Sequence, residues 1–273
     1  MSNLIDIGIT IRSEQDNPWF ERLMASLRAK AAGLPHGILV EQGQLLTKVE
    51  KRLRLFRRSQ ARYLAILEDD TEVLHDGWLL NLVSRMGVHP DTAVMNPAET
   101  RHPPEDVPPA ELRDETVEIT NAAGFCMLID RESGIEPDAR VRTMDDLWLS
   151  LAARARGWRV VSCAAAIVRH SKLPWGSDDL APWEMADRSR FGDGDAYYDR
   201  DRHEAKRRNE AKLMVETFGD LARLTLPKEL LDERTDPLLG AQERAAERRS
   251  GIAYVAERLA PRLAAARATG GED

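Results

Sequence analysis

The tightest constraint on this chain comes from Tyr63-Leu64-Ala65-Ile66-Leu67, an apolar run without polar alternation that ends in Glu68-Asp69-Asp70. A strand with one wetted face alternates, so a run like this is buried on both faces, as in a parallel sheet covered by helices on each side. In open sheets of that kind, ligands bind just beyond the carboxyl ends of the strands. Carboxylates clustered at that edge repel one another unless a cation sits among them. A hard divalent ion such as Mg2+ or Mn2+, which prefers oxygen ligands, meets that need while holding a substrate's phosphates. The same residues also suit a plainer role, with Asp69 or Asp70 capping the helix that begins near Gly77.

The preceding segments predict the same architecture. Leu4 to Ile11 is a β-branched strand that breaks into the polar loop Arg12 to Asn17. Pro18 sits where a helix accepts proline in its first turn, and Trp19, Phe20, Leu23, Met24 and Leu27 follow at helical spacing until Gly33 and Pro35. Gly37 to Val40 is a second strand ending in Glu41. Thr47 to Gln60 is a second helix, with Val49, Leu53 and Phe56 on one face. Its bases (Lys48, Lys51, Arg52, Arg54, Arg57 and Arg58) are expected on a solvated face. Strand, helix, strand, helix, strand implies parallel strands with right-handed crossovers. No Gly-x-Gly-x-x-Gly follows the first strand and no Walker-type loop is present, which argues against a dinucleotide or P-loop site.

Further on, Trp78 to Met86 reads as a helix and Ala93 to Asn96 as a strand, with a proline-rich, acidic loop between Pro97 and Asp114. Val117 to Thr120 and Gly124 to Ile129 are strand-like, and Gly124 admits close approach of a ligand or another backbone. Met144 to Ala155 has a helical apolar face and stops at Gly157. Asp145 and Asp146 stand at its N-terminal end, where carboxylates also suit the helix dipole. Trp158 to Cys163 and Ala164 to Arg169 are two further strand-like segments, the second ending at His170.

A net charge of −7 removes any global basic field for nucleic acid. With 42% hydrophobic and 31% charged residues in 273, the chain reads as one large α/β domain with an appendage. No run reaches the length of a membrane helix and the N-terminus lacks signal-peptide character, so a cytoplasmic protein without membrane insertion is expected. Cys126 and Cys163 have no metal-ligand spacing and are expected to be buried, reduced thiols.

Taken in order, these pieces resemble a family-2-like glycosyltransferase of the GT-A fold. The resemblance rests on the opening strand-helix-strand ending at Glu41, on Leu67-Glu68-Asp69-Asp70, on Gly124 to Arg131, and on Asp145-Asp146 ahead of Gly157. Leu67 to Asp70 is similar to the family's Asp-x-Asp metal motif, with Glu68 in place of its first acid. The resemblance covers about residues 4 to 172. It implies a Rossmann-like, mostly parallel sheet with helices on both faces over 1–172, followed by a lid loop and a helical extension over 173–273. It further implies a sugar transferred from a nucleotide-diphosphate sugar to an acceptor hydroxyl with Mn2+ or Mg2+.

On that reading Asp70 ligates the metal, Glu68 shares in the site, and His170 completes it from the last strand. Thr10, Arg12, Glu41, Glu68 and Asp69 hold the donor. Asp146, with Asp145 as second choice, is the base of an inverting displacement, and Gly124 and Trp175 face the acceptor. Thr47-Lys48-Val49 departs from the family's usual helix opening, and Glu41 is longer than its usual Asp.

Beyond His170 the resemblance fades. Leu173 to Trp183 is a turn-rich loop whose tryptophans suit either an acceptor lid or ordinary packing. Arg200 to Phe218 reads as a charged helix with internal ion pairs. Residues 241 to 268 carry a modest apolar stripe suited to the main domain or to a second copy of the chain, as in a homodimer. Two alternatives stay open: transfer onto a hydroxylated base in DNA, and a non-catalytic carbohydrate-binding or scaffolding protein on the same fold. A nucleotidyltransferase would need a Gly-rich basic loop after the first strand, and none is present.

Overall fold

Residues 5 to 11 send Ile5, Ile7, Ile9 and Ile11 into one apolar layer and Asp6, Gly8 and Thr10 to the opposite face, and that alternation organises the fold. A computed structural model describes residues 3–11, 17–30, 34–43, 46–100, 116–170 and 200–231. Arg12, Trp175 and the 241–268 segment lie outside them. The chain divides into two compact units, Met1–Thr225 and Leu226–Asp273; all that follows concerns the first, apart from a short helix Lys228–Leu231 in the second.

An eight-stranded sheet runs in the order β2-β1-β3-β7-β5-β8-β4, with β6 also paired to β8. The strands are β1 (Ile5–Ile11), β2 (His36–Gln42), β3 (Tyr63–Glu68), β4 (Thr71–Val73), β5 (Thr92–Thr100), β6 (Thr116–Glu118), β7 (Cys126–Asp130) and β8 (Arg159–His170). β1, β2, β3, β5 and β8 run in one direction; β7, inserted between β3 and β5, and β4 and β6, both on β8, run against them. The carboxyl ends of β3 and β8 therefore share a rim with the amino ends of β7 and β4: Leu67 lies opposite Cys126, and His170 opposite Thr71.

The period of two sorts side chains to opposite faces. Ile5, Ile7, Ile9 and Ile11 with Tyr63, Ala65 and Leu67 pack under α1 (Pro18–Lys30), through Leu23 and Leu27, and α3 (Trp78–Val88), through Trp78, Leu79, Leu82 and Met86. Leu64 and Ile66 face the other way, onto α2 (Lys48–Arg58), through Leu55 and Phe56, and α4 (Asp145–Ala155), through Leu149, Ala152 and Ala153. Gly8 allows α2 its close approach: a Cβ there would lie 2.9 Å from Leu55 Cδ1. α2 starts at Thr47, whose hydroxyl accepts from Glu50 N–H while the Glu50 carboxylate accepts from Thr47 N–H, a reciprocal capping box.

Several elements differ from the sequence reading. The two segments expected over 158–163 and 164–170 are one strand, β8, interrupted by a bulge. Pro97 pairs with Cys163 but Ala98 with Ile167, leaving Ala164 to Ala166 without β5 partners. Pro97 occupies that break, where its missing N–H costs no ladder bond, so the predicted loop from 97 is strand as far as Thr100. His75 and Asn81 secure the bulge: Ile167 N–H donates to His75 Nε2 at 3.0 Å, and Asn81 Nδ2 donates to Ala165 O at 2.6 Å. β4 was unexpected, being only three residues long and paired with β8 alone. Gly77, not Asp69 or Asp70, caps α3.

The C-terminal charged segment folds as α5 (Arg200–Phe218), followed by α6 (Asp220–Thr225). α5 packs on α4, with Trp148 and Phe218 edge to face at 4.8 Å. Both cysteines are buried and unpaired, as composition suggested.

Candidate active site

Strand register assembles the first half of the site. Thr10 is paired with Glu41 of β2 on one side and Glu68 of β3 on the other, so the three side chains emerge on the face covered by α2. Glu41 is buried and ion-paired with Arg58 of α2. Glu68, the last residue of β3, accepts from Lys48 Nζ at 2.6 Å and from Arg52 Nη2 at 3.0 Å. Burial alone would raise its pKa, but those two cations hold the carboxyl down at about 2.

After Glu68 the chain turns through Asp69 and Asp70 into β4, and the β4–β8 pairing brings Asp70 to His170. His170 Nε2 lies 3.2 Å from Asp70 Oδ2, and its Nδ1 lies 3.5 Å from Glu99 Oε1. The imidazole stacks on Phe125, ring centroids 4.8 Å apart. Glu68, Asp70 and His170 can each present one ligand atom, all within 4.8 Å of one another. Asp70 Oδ1 and His170 Nδ1 are buried without a hydrogen-bond partner, a cost that native structures rarely leave uncompensated. Two carboxylates and an imidazole with lone pairs to spare fit a divalent ion of the Mn2+ or Mg2+ kind. Asp69 points elsewhere, accepting from Asn17 Nδ2 at 2.8 Å; burial, with Asp70 and Glu68 nearby, pushes its carboxyl up to about 6.

Arg52 connects this half to the second. Its side chain is wholly buried, donating to Glu68, to Asp145 Oδ2 at 2.5 Å and to the carbonyl of Gly124. The solvated basic face expected for α2 is thus wrong for two of its residues. Arg52 is enclosed and Lys51 is buried, donating to Ile11 O at 2.6 Å, while Lys48, still partly exposed, is held by Glu68. The reason is position: α2 lies over the rim where the acids collect, and burying those acids requires cations.

The acid pair at the start of α4 divides by environment. Asp145 is fully buried against Arg52. Asp146 is partly open; its Oδ1 accepts from Leu147 N–H at 2.8 Å, while Oδ2 would lie 3.2 Å from a Cβ placed on Gly124. The same imaginary atom would lie 3.2 Å from Arg52 Nη2 and 3.3 Å from Lys48 Nζ. Gly124 thus lies where Asp146, Lys48 and Arg52 converge. Burial and the charge of Asp145 raise the Asp146 pKa, with Lys48 and Arg52 opposing them.

Sequence reasoning missed Arg52, Asn17, Glu99 and Phe125. For Arg52 a signal existed: it lies three and four residues before Leu55 and Phe56, on the buried face of α2. For the others the signal is three-dimensional only.

No protein-family model and no curated protein matches the chain. Solved structures do. The chain is similar in fold to the mannosyltransferase PcManGT from Pyrobaculum calidifontis in complex with GDP-Man and Mn2+, at a TM-score of 0.51 and 10% identity over 93% of this chain and 81% of that one. It is also similar to S. aureus TarS 1-349, at a TM-score of 0.50 and 9% identity over 84% and 85%. GalNAc-T7 with UDP, GalNAc and Mn2+ aligns at a TM-score of 0.48 and 12% identity, covering 62% of this chain and 44% of that one, so the chain spans less than half of it. The molecule therefore has the GT-A fold, a mostly parallel sheet with helices on both faces.

Proposed function

We propose that this chain is a divalent-metal-dependent glycosyltransferase that moves a sugar from a nucleotide-diphosphate sugar to an acceptor hydroxyl, with inversion. The observation that carries the reading is the convergence of Glu68, Asp70 and His170 at the carboxyl rim of the sheet, each with a ligand atom within 4.8 Å of the others. The fold shared with PcManGT, whose structure contains GDP-Man and Mn2+, is compatible with it.

Asp70 and His170 would hold the ion, with Glu68 beside them and fixed by Lys48 and Arg52. When bound, such an ion neutralises the departing diphosphate as a Lewis acid. Thr10 and Glu41, in register with Glu68, offer polar groups for the nucleoside, and Asp69, on the turn after Glu68 and held by Asn17, is the further donor-side acid. Asp146 takes the proton of the acceptor hydroxyl as the new bond to the anomeric carbon forms and the bond to the diphosphate oxygen breaks. Asp146 is the better base because Asp145 is enclosed and committed to Arg52. The absence of a side chain at Gly124 lets Asp146, Lys48 and Arg52 approach its backbone closely, which keeps the Asp146 carboxylate beside the two cations. Among the described residues no helix is long and apolar enough to cross a membrane.

The test is turnover of UDP- and GDP-sugars with and without Mn2+, by wild type and Asp70→Asn. Metal-dependent release of the nucleoside diphosphate that Asp70→Asn abolishes supports the reading. Release that ignores both metal and variant, or none with any donor, rejects it.

A further inference from the structure

The start of α4, which carries Asp146, has no cap of its own: Met144 is the N-cap residue and makes no side-chain cap bond. Unpaired N–H groups at a helix start need acceptors. Here those just ahead of α4 find one on another element. Glu210, in the middle of α5, is 5% exposed, and its carboxylate gathers Arg142 to Met144. Oε1 accepts from Arg142 N–H at 2.7 Å and from Thr143 N–H at 3.1 Å. Oε2 accepts from Thr143 N–H at 3.1 Å, from the Thr143 hydroxyl at 2.7 Å and from Met144 N–H at 3.0 Å. Bonds from N–H groups to an ionised carboxylate are the stronger kind.

That stretch aims Asp146. Its Oδ1 is held by Leu147 N–H, so the direction of Oδ2 follows the backbone of the first turn of α4. On the far side, Arg52 fixes Asp145. The start of α4 is thus gripped from α2 by Arg52 and from α5 by Glu210.

We propose that Glu210 is a positioning residue for the proposed transfer reaction, setting the aim of Asp146 by clamping residues 142–144 from α5. This rests on Asp146 acting as the base. Glu210 touches no substrate; it acts through the backbone ahead of Asp145. Small misplacements of a reacting group lower turnover steeply while leaving binding at a distant subsite intact. The donor side is built on β1, β2 and β3 and is held by α2, through Arg58 on Glu41 and through Lys48 and Arg52 on Glu68.

The experiment compares the full-length wild type with Glu210→Gln and Glu210→Ala. It uses amide hydrogen exchange across 142–148 and steady-state kinetics with a turned-over nucleotide sugar, per folded molecule. The expected result for Glu210→Ala is faster exchange at 142–148 with the β-strands still protected, a kcat lower by about tenfold to a hundredfold, and a donor KM within about twofold of wild type. Glu210→Gln, which keeps acceptor capacity in its carbonyl oxygen, should fall between. A purely structural role would lower the melting temperature without changing kcat per folded molecule, and that result overturns the proposal. So does unchanged exchange at 142–148, or a donor KM that worsens in step with kcat. If the wild type turns over no nucleotide sugar, the proposed function fails; the exchange comparison still decides whether Glu210 fixes the start of α4.

Discussion

Arg52 and Asp145, 93 positions apart in the chain, meet at 2.5 Å with neither side chain more than 1% exposed. Through this pair the start of α4 is tied to α2, which also holds the acid-rich end of β3. The same guanidinium donates to Glu68, so one buried cation serves both acids.

Removing one partner leaves the other charged and buried. Arg52→Met is expected to destabilise the fold by about 3–5 kcal/mol, measured by urea denaturation. Arg52→Lys should recover only part of this, since an ammonium cannot reproduce a planar fork shared among Glu68, Asp145 and the Gly124 carbonyl. Adding Asp145→Leu to Arg52→Met should restore part of the loss, because the orphaned charge is gone. A double variant as unstable as the two single variants combined would refute the pairing account.

Mn2+ should raise the melting temperature of the wild type, and EDTA should reverse it. At a hundredfold excess over Kd the gain is about 2.7 kcal/mol by mass action. Asp70→Asn and His170→Ala should lose the response. A full response in both variants would move the metal away from this cluster.

Asp146→Asn should lower transfer by about a hundredfold or more while leaving donor binding near wild type. Its effect on stability runs the other way. Burial raises the Asp146 pKa in the fold, so the native state binds its proton more tightly than the unfolded chain does. Stability is then lost as pH rises from the ordinary carboxylate value through the raised one. Asparagine escapes that loss, so the variant should be at least as stable as wild type at neutral pH, as calorimetry can check.

Asp69 offers a cleaner pH signature. Its carboxyl sits at about 6 in the fold against an ordinary 3.8, so its ionisation costs stability over that window. In EDTA, Asp69→Asn should melt higher than wild type at pH 8, and the gap should close below about pH 4. The amide oxygen still accepts from Asn17, so no hydrogen bond is lost. A gap independent of pH would remove Asp69's ionisation as its cause.

Gly124→Ala would put a methyl group 3.2–3.3 Å from Arg52, Asp146 and Lys48. The lysine can retreat, but the enclosed Arg52 cannot do so freely. Activity should drop about tenfold or more, with a stability loss near 1–3 kcal/mol. Wild-type kcat in this variant would show that the close approach of Asp146, Lys48 and Arg52 to Gly124 does not matter for turnover.

The sequence disclosed the fold where burial leaves a periodic trace. Tyr63 to Leu67 is unalternating because both faces are covered, and β1 could be read from its β-branched isoleucines, which recur at every second position and enter one apolar layer. Asp70 and His170 could be nominated from position, since each ends an apolar run at the same rim. What stayed hidden depends on tertiary context. The bulge in β8 is held by His75 and Asn81, which lie outside the strand. β4 is too short for a period to emerge. The cationic side of α2 looks like any solvent-facing stripe until the acids it neutralises are located in space. The clamp by Glu210 joins two segments that no local pattern relates.

The pairing of Thr10 with both Glu41 and Glu68 sets how this chain can tolerate changes in length. Adding or deleting one residue within β1 or β3 would exchange the two faces of that strand, sending Glu68 into the isoleucine layer and an aliphatic side chain toward α2. Insertions before Ile5, or between Arg58 and Tyr63, leave that parity intact. An insertion scan should therefore find narrow intolerant zones bounded by the strand ends, with neighbouring positions a few residues away comparatively permissive.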